Sequence, residues 1–320
     1  MGFTFLGQST DPGEGATVMK LGFIGLGRMG LNMVRRLAAG GHEILATART
    51  TAKKAEAESA GARWVNDLDG FVDALPAPRI VWVMVPSGAA TEETIDALSR
   101  KLSAGDIIVD GGNSDHRDTV RRAERLSGLG LRLVDCGTSG GVWGLESGYC
   151  LMVGGDSDPV AHLAPLFTTL APPDGWMHVG RCGLGHYVKM IHNAVEYGMM
   201  QAYAEGFELL RQHCGESLDL GAVSRLWNRG SVVRSWLLEL SEKVFDDPAV
   251  LDSIAGRVED SGECRWALES AIAESVPAPV FAAALFARFS SRRPDSFANK
   301  FLAALRNQFG GHAMTRRGET

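Results

Sequence analysis

The stretch Val18-Met19-Lys20-Leu21-Gly22-Phe23-Ile24-Gly25-Leu26-Gly27-Arg28-Met29-Gly30 opens as a short apolar run and turns sharply through three glycines. It continues as a helical pattern with Leu31, Val34, Leu37 and Ala38 on one face. Strand, glycine loop and helix in that order are the setting in which G-x-G-x-x-G carries meaning. The glycines allow a tight turn and close backbone approach, and the helix N-terminus offers its N–H groups to a pyrophosphate. A dinucleotide site is therefore the reading, over a glycine-rich turn without a ligand, with Gly25, Leu26, Gly27, Arg28, Met29 and Gly30 in contact with the cofactor. The fold class that follows is α/β, a Rossmann-type doubly wound sheet.

Working outward, the same rhythm recurs. Glu43–Ala48 reads as a second strand ending at Ala48-Arg49-Thr50, where an NAD enzyme usually offers an acid to the ribose 2′-hydroxyl. An arginine there suits a 2′-phosphate, because a guanidinium is a rigid fork of donors. Arg49 and Thr50 thus point to NADP, while stacking of Arg49 on adenine would leave NAD acceptable. Ile80–Ser87 and Asp106–Ser114 read as apolar central parallel strands that end in small or polar residues. Their ends, Val85-Pro86-Ser87 and Asn113, lie where a doubly wound sheet holds its ligand, on the nicotinamide side. Leu131–Asp135 leads to a glycine and hydroxyl loop, Cys136–Gly144, before another strand at Tyr149–Gly155.

Past Gly180 the strand patterns stop. Apolar spacings of three and four predict helices over 186–211, 218–227, 231–245, 265–275, 279–289 and 296–309. The expected organisation is a flexible extension at 1–18, a dinucleotide-binding domain at 19–180 and an all-α substrate-binding and oligomerisation domain at 181–320, with the site in the cleft between the last two. At 320 residues, 45% hydrophobic and 22% charged, the chain is long enough for two cores. A net charge of −6 without a basic stripe argues against a nucleic-acid partner. No apolar run approaches the ~18 residues of a membrane span, and residues 1–18 lack the pattern of a secretory signal. Five cysteines, odd in number and never in a C-x-x-C pair, suggest neither disulfides nor zinc and fit a reducing cytoplasm. His186 and His192, six apart, point about 120° away from each other on a helix, so no metal is expected.

The chemistry concentrates in Gly183–Gly198. Lys189, His192, Asn193 and Glu196 stand at i, i+3, i+4 and i+7, one polar stripe on a helix whose Val188, Ile191, Ala194 and Val195 look buried. Lys189 and Glu196 are roughly 10 Å apart along the axis, enough for a sugar-sized substrate to lie between them. An internal Lys to Glu pair within a core helix would give the same spacing.

With Asp110-Gly111-Gly112-Asn113-Ser114, Ser139-Gly140-Gly141, Phe286-Ala287-Arg288 and Phe309-Gly310-Gly311-His312 added to these motifs, the chain resembles decarboxylating 6-phosphogluconate dehydrogenase in its short-chain branch, from about Met19 to His312. The resemblance implies oxidative decarboxylation of 6-phospho-D-gluconate to D-ribulose 5-phosphate and CO2, a step of the pentose phosphate pathway, with reduction of NADP or NAD. It implies Lys189 as general base and Glu196 as the acid that protonates C1. Asn113, Ser139, Gly140, Gly141, His192, Asn193 and Tyr197 would hold the sugar acid. Arg288 would meet the phosphate, and Arg306 and His312 would reach it from a neighbouring subunit of a homo-oligomer, a dimer or tetramer. Ser261 and Glu263 stand where the long-chain branch has lysine and threonine that touch substrate, and Cys264 stands where the family usually has glycine. A 3-hydroxyisobutyrate type dehydrogenase would share the glycine loop, Lys189 and Asn193, but needs neither Glu196 nor terminal arginines. A dinucleotide-binding module without turnover would need neither Lys189 nor Glu196.

Overall fold

A computed structural model describes residues 17–316. All but two residues of the extension expected at 1–18 thus lie outside the described part. The backbone divides into two compact units, Met1–Lys189 and Met190–Thr320.

The first unit is one sheet of eight strands: β1 Lys20–Ile24, β2 Glu43–Thr47, β3 Arg63–Trp64, β4 Ile80–Val83, β5 Ile107–Asp110, β6 Arg132–Ser139, β7 Cys150–Gly154 and β8 Trp176–Gly180. Their order is β3-β2-β1-β4-β5-β6-β7-β8. The pairings from β3 to β6 are all parallel, and β7 and β8 run opposite to them. The chain starts in the middle, winds outward through β2 and β3, then returns to continue from β4. The doubly wound sheet read from the glycine motif is therefore present, with its switch point between β1 and β4.

Helices cover both faces: α1 Arg28–Ala39, α2 Lys54–Ser59, α3 Leu68–Asp73, α4 Ala89–Ser99, α5 His116–Ser127, the short α6 Gly144–Ser147 and α7 Ser157–Leu170. Strand periodicity decides which face each side chain serves. Leu21, Phe23, Ile80, Trp82, Ile107 and Val109 join the core under α1 and α7. Val81, Val83 and Ile108 join the opposite core with Phe71, Ile95, Leu98 and Leu126 of α3, α4 and α5. The short strand β3 and the edge strand β8 were not expected. Two residues give no periodicity to read, and Trp176–Gly180 is only half-buried. Strand β6 runs on to Ser139, through residues expected to be loop, because Cys136–Ser139 pair with Cys150–Val153 of β7.

The second unit is helical. It takes up α8, Leu184–Cys214, within that helix, and adds α9 Leu220–Trp227, α10 Trp236–Phe245, α11 Pro248–Ser253, α12 Glu263–Ala273, α13 Pro279–Ser291 and α14 Phe297–Gly310. Helix α10 starts later than expected, since Ser235 is its cap and accepts a hydrogen bond from Leu238 N. Helix α11 escaped the reading of the sequence, being one short turn and a half. Helix α8 is also less enclosed than expected: Ala194 is buried, but Val188 and Val195 are 37% and 44% exposed.

Candidate active site

The three glycines of the first motif differ in what surrounds them. Gly25 has φ +104°, a conformation that favours glycine, and a Cβ there would fall 2.1 Å from the Met84 carbonyl oxygen. At Gly30 a Cβ would meet the Gly25 carbonyl oxygen at 2.0 Å, so α1 can lie against β1 only without a side chain. Gly27, just before the helix, has open space around it. One glycine makes the turn, one seats the helix, and the middle one leaves the helix N-terminus bare to an anionic ligand. That cradle fits a dinucleotide pyrophosphate. Leu26 is buried beneath it, Met29 is half-buried, and Arg28 is exposed beside it.

The other expected cofactor residues end neighbouring strands of the same sheet. Arg49 and Thr50 follow β2, and the Arg49 guanidinium lies exposed, 4.0 Å from Glu93. Val85, Pro86 and Ser87 follow β4, with Pro86 anchored through its carbonyl oxygen by the Thr91 hydroxyl at 2.9 Å. Asn113 follows β5 in a turn shaped from below. The Asp110 carboxylate accepts from Gly112 N at 3.1 Å and from the Ser114 hydroxyl at 2.8 Å, and it lies 3.5 Å from the fully buried Arg122. Asp110 and Arg122 were not singled out in the sequence. An aspartate closing a strand before Gly-Gly is the one signal that could have marked the first.

Lys189 sits in α8 with only 8% of its surface exposed. Its placement begins one turn earlier, where Asp135 at the middle of β6 caps the helix. Its two carboxylate oxygens accept from Gly183 N at 2.7 Å and His186 N at 2.8 Å. His186, read only as a weak metal candidate, is buried and bonded to the Thr119 hydroxyl at 2.7 Å. Glycines let the helix meet the sheet directly. A Cβ on Gly137 would fall 2.4 Å from the Lys189 Cβ, one on Gly185 would fall 2.5 Å from the Met152 carbonyl oxygen, and one on Gly154 would fall 2.4 Å from the Asp135 carboxylate. Ser139, Gly140 and Gly141 end β6, and both glycines have positive φ, +127° and +55°. Asp135 and these seating glycines position Lys189, and the sequence reading passed over that role, because it lies in absent side chains and a cap distant in sequence.

The second unit gathers the remaining candidates. Asn193 donates to Glu263 at 2.9 Å and its carbonyl oxygen lies 3.1 Å from Nδ1 of His192, which is 4.0 Å from Glu196. The Tyr197 hydroxyl accepts from Ser261 N at 3.0 Å and lies 3.2 Å from the Ser261 hydroxyl. Arg288 stacks 3.4 Å over the Tyr197 ring and donates to the Glu259 carbonyl oxygen at 3.0 Å. Hydrogen bonds from Arg265, then Arg292, hold Asp260 well below the usual carboxylate range, at about 2. Cys264 fits without the family's glycine: it is buried within α12, its thiol 3.6 Å from the Phe281 carbonyl oxygen and pushed up to about 11 by burial. Arg306 on α14 and His312 after it are exposed.

The chain is similar to known proteins along most of its length. Residues 20–183 match the family model of the NAD binding domain of 6-phosphogluconate dehydrogenase, and residues 185–302 that of the 6-phosphogluconate dehydrogenase C-terminal domain. The chain is 43% identical to an NAD(+)-dependent, decarboxylating 6-phosphogluconate dehydrogenase of Haloferax volcanii, over 94% of this chain and 100% of that one. It is 34% identical to an NADP(+)-dependent, decarboxylating one of Bacillus subtilis, over 85% of this chain and 61% of that one. Among solved structures it is similar to Plasmodium falciparum 6-phosphogluconate dehydrogenase, with a TM-score of 0.79 and 25% identity over 94% of this chain and 67% of that one. With both domain models matched in order and a relative aligned over its whole length, the chain belongs to the 6-phosphogluconate dehydrogenase family.

Proposed function

We infer that the chain is an NAD(P)-dependent decarboxylating 6-phosphogluconate dehydrogenase, converting 6-phospho-D-gluconate to D-ribulose 5-phosphate and CO2. The observation that carries this reading is a buried lysine and a half-buried glutamate, Lys189 and Glu196, two turns apart on the single helix α8.

Lys189, entering the reaction as the neutral amine, takes the proton of the substrate 3-hydroxyl while hydride leaves C3. Removal from water favours that uncharged form of an amine. Bound NAD(P)+ supplies the hydride acceptor. The product of this oxidation is a β-keto acid, whose C1–C2 bond breaks with release of CO2 as Lys189 returns its proton to the 3-oxygen. The electron pair left behind makes an enediol; Glu196 protonates its terminal carbon, C2 of the substrate and C1 of the product, while the proton on the neighbouring 3-oxygen passes back to Lys189, giving the ketose. An acid and a base at opposite ends of a short polar stripe serve such a sequence.

Asn113, Ser139, Gly140, Gly141, His192, Asn193 and Tyr197 hold the sugar acid in this proposal, and Arg288 meets the phosphate. Arg306 and His312 join it from a second copy of the chain. In support, α14 carries Phe297, Phe301, Leu305 and Phe309 at four-residue spacing with no buried residue, and Val195 and Met199 are exposed on α8. Such an apolar stripe calls for a cover, and a homo-oligomer supplies one. NADP preference rests on Arg49, with Glu93 drawing on the same guanidinium. A cytoplasmic setting is supported by five cysteines that are all free. Among the described residues no helix is long and apolar enough to cross a membrane.

The test is to mix the protein with 6-phosphogluconate and either cofactor, following absorbance and CO2 together. Equal yields of reduced cofactor and CO2 are expected. Oxidation without CO2 would identify a simple β-hydroxyacid dehydrogenase, and binding without turnover a dinucleotide-binding module.

A further inference from the structure

Glu263 opens the first turn of α12 and is 2% exposed. Its Oε1 accepts from Nδ2 of Asn193 at 2.9 Å. As a carboxylate it can only accept, so Asn193 must turn its NH2 group toward α12. The amide carbonyl oxygen is thereby left facing Nδ1 of His192, at 3.1 Å. That oxygen also can only accept, and the second group near the same nitrogen, Oε2 of Glu196 at 4.0 Å, is a carboxylate oxygen. Two acceptors converge on one ring nitrogen, which must therefore carry the proton. In the neutral ring Nε2 is then the acceptor.

We propose that Glu263 is a positioning residue that acts through Asn193 to fix His192 as its Nδ1–H tautomer, and thereby sets what His192 recognises. An imidazole whose outer nitrogen accepts takes a donor, a hydroxyl of the sugar acid, and rejects groups that only accept, such as a carboxylate or phosphate oxygen. Glu263 thus stands where the long-chain branch has a threonine that touches substrate, yet does its work one residue removed from the ligand. The proposal rests on the reading of the chain as a sugar-acid dehydrogenase for its consequence, but the tautomer itself does not.

Glu263→Gln is the discriminating variant. It keeps the volume and an acceptor oxygen but adds a donor, so Asn193 is free to flip and offer its NH2 to His192, favouring the proton on Nε2. The measurement is long-range ¹⁵N–¹H correlation on ¹⁵N-histidine-labelled full-length protein at about pH 8, where a free imidazole is neutral. His192 is assigned among the eight histidines by its loss in His192→Gln. The wild type is expected to show Nδ1–H, and Glu263→Gln a mixture or the Nε2–H form, with kcat/KM for 6-phosphogluconate lowered about 10-fold or more, the scale of one misplaced hydrogen bond. A purely structural role for Glu263 would leave the tautomer unmoved. An Nε2–H ring in the wild type, or an unchanged tautomer in the variant, overturns the proposal. The wild-type spectrum needs no variant to fold and no substrate, so failure to turn over 6-phosphogluconate would sink the functional reading alone.

Discussion

In the nucleotide-binding unit all four residues of β4, Ile80–Val83, are buried, whereas in the helical unit the last helix, Phe297–Gly310, buries none of its fourteen. The first unit closes two cores of its own, one on each face of a sheet. The second leaves Phe297, Phe301, Leu305 and Phe309 in water, 82%, 54%, 45% and 74% exposed. Covering four such side chains is worth at most on the order of 6 to 12 kcal/mol at ~1.5–3 kcal/mol each. One unit closes cores of its own, and the other ends on an apolar helix face left uncovered.

Substitutions sharpen or break this contrast. Lys189→Ala should lower kcat about 10³-fold, the scale of a lost general base, while thermal melting still shows a cooperative transition. Near-normal turnover would remove the base from the mechanism. Phe301→Ser combined with Leu305→Ser should weaken self-association by on the order of 100-fold, as loss of interface anchors does, with activity falling in parallel on dilution. Sedimentation that is identical for variant and wild type would end the idea that α14 needs a second copy. Gly137→Ala, inside the first unit, forces a methyl to within 2.4 Å of the Lys189 Cβ. It should cost about 1–3 kcal/mol in denaturant unfolding together with activity, with sedimentation the same as for the wild type. Arg49→Ala should reduce kcat/KM for NADP about 10-fold and spare NAD, a loss of one charge-assisted contact; equal losses with both would assign Arg49 to adenine.

The smallest effect is one of pH, and each unit has its own reporter. Hydrogen bonds from Arg121, then Arg122, lower Glu92 in the first unit to about 2, as Arg265 and Arg292 do for Asp260 in the second. Both folded values lie below the unfolded ones, near 4.3 and 3.9 on the usual scale of about 4. Their stabilisation is therefore complete above that range and drains away as pH falls toward 2. Glu92→Gln should flatten the acid unfolding curve there as followed by the tryptophans of the first unit, Trp64, Trp82, Trp143 and Trp176. An unaltered slope would show the Arg121 and Arg122 contacts to be energetically idle.

What could be read from the sequence tracks the same divide. In the first unit, strand periodicity and the spacing of Gly25, Gly27 and Gly30 follow from local physics, so the doubly wound sheet was legible before any coordinate. Its unread parts, β3 and β8, are too short or too exposed to leave a pattern. In the second unit the helices were legible but their surroundings were not. Val188 and Val195 read as core residues, yet the structure leaves both exposed, because a helical period shows that a face is apolar and not what covers it. For the site, the polar stripe of α8 was plain, and family motifs supplied Asn113, Ser139 and Arg288. The residues that hold these in place were hidden. Asp135 caps a helix 48 positions later, and Glu263 reaches Asn193 across 70. Contacts of that range have no local signature.

At the root of α8, main chain rests on main chain, because Gly137, Gly154 and Gly185 leave no room for even one carbon more. An added methyl at any of the three collides, with the Lys189 Cβ, the Asp135 carboxylate or the Met152 carbonyl oxygen. The height of the lysine above the sheet is consequently inherited as a block. Substitution is left to positions farther along the chain, at loops and helix starts such as the one that holds Glu263, where no such glycine joint constrains the backbone.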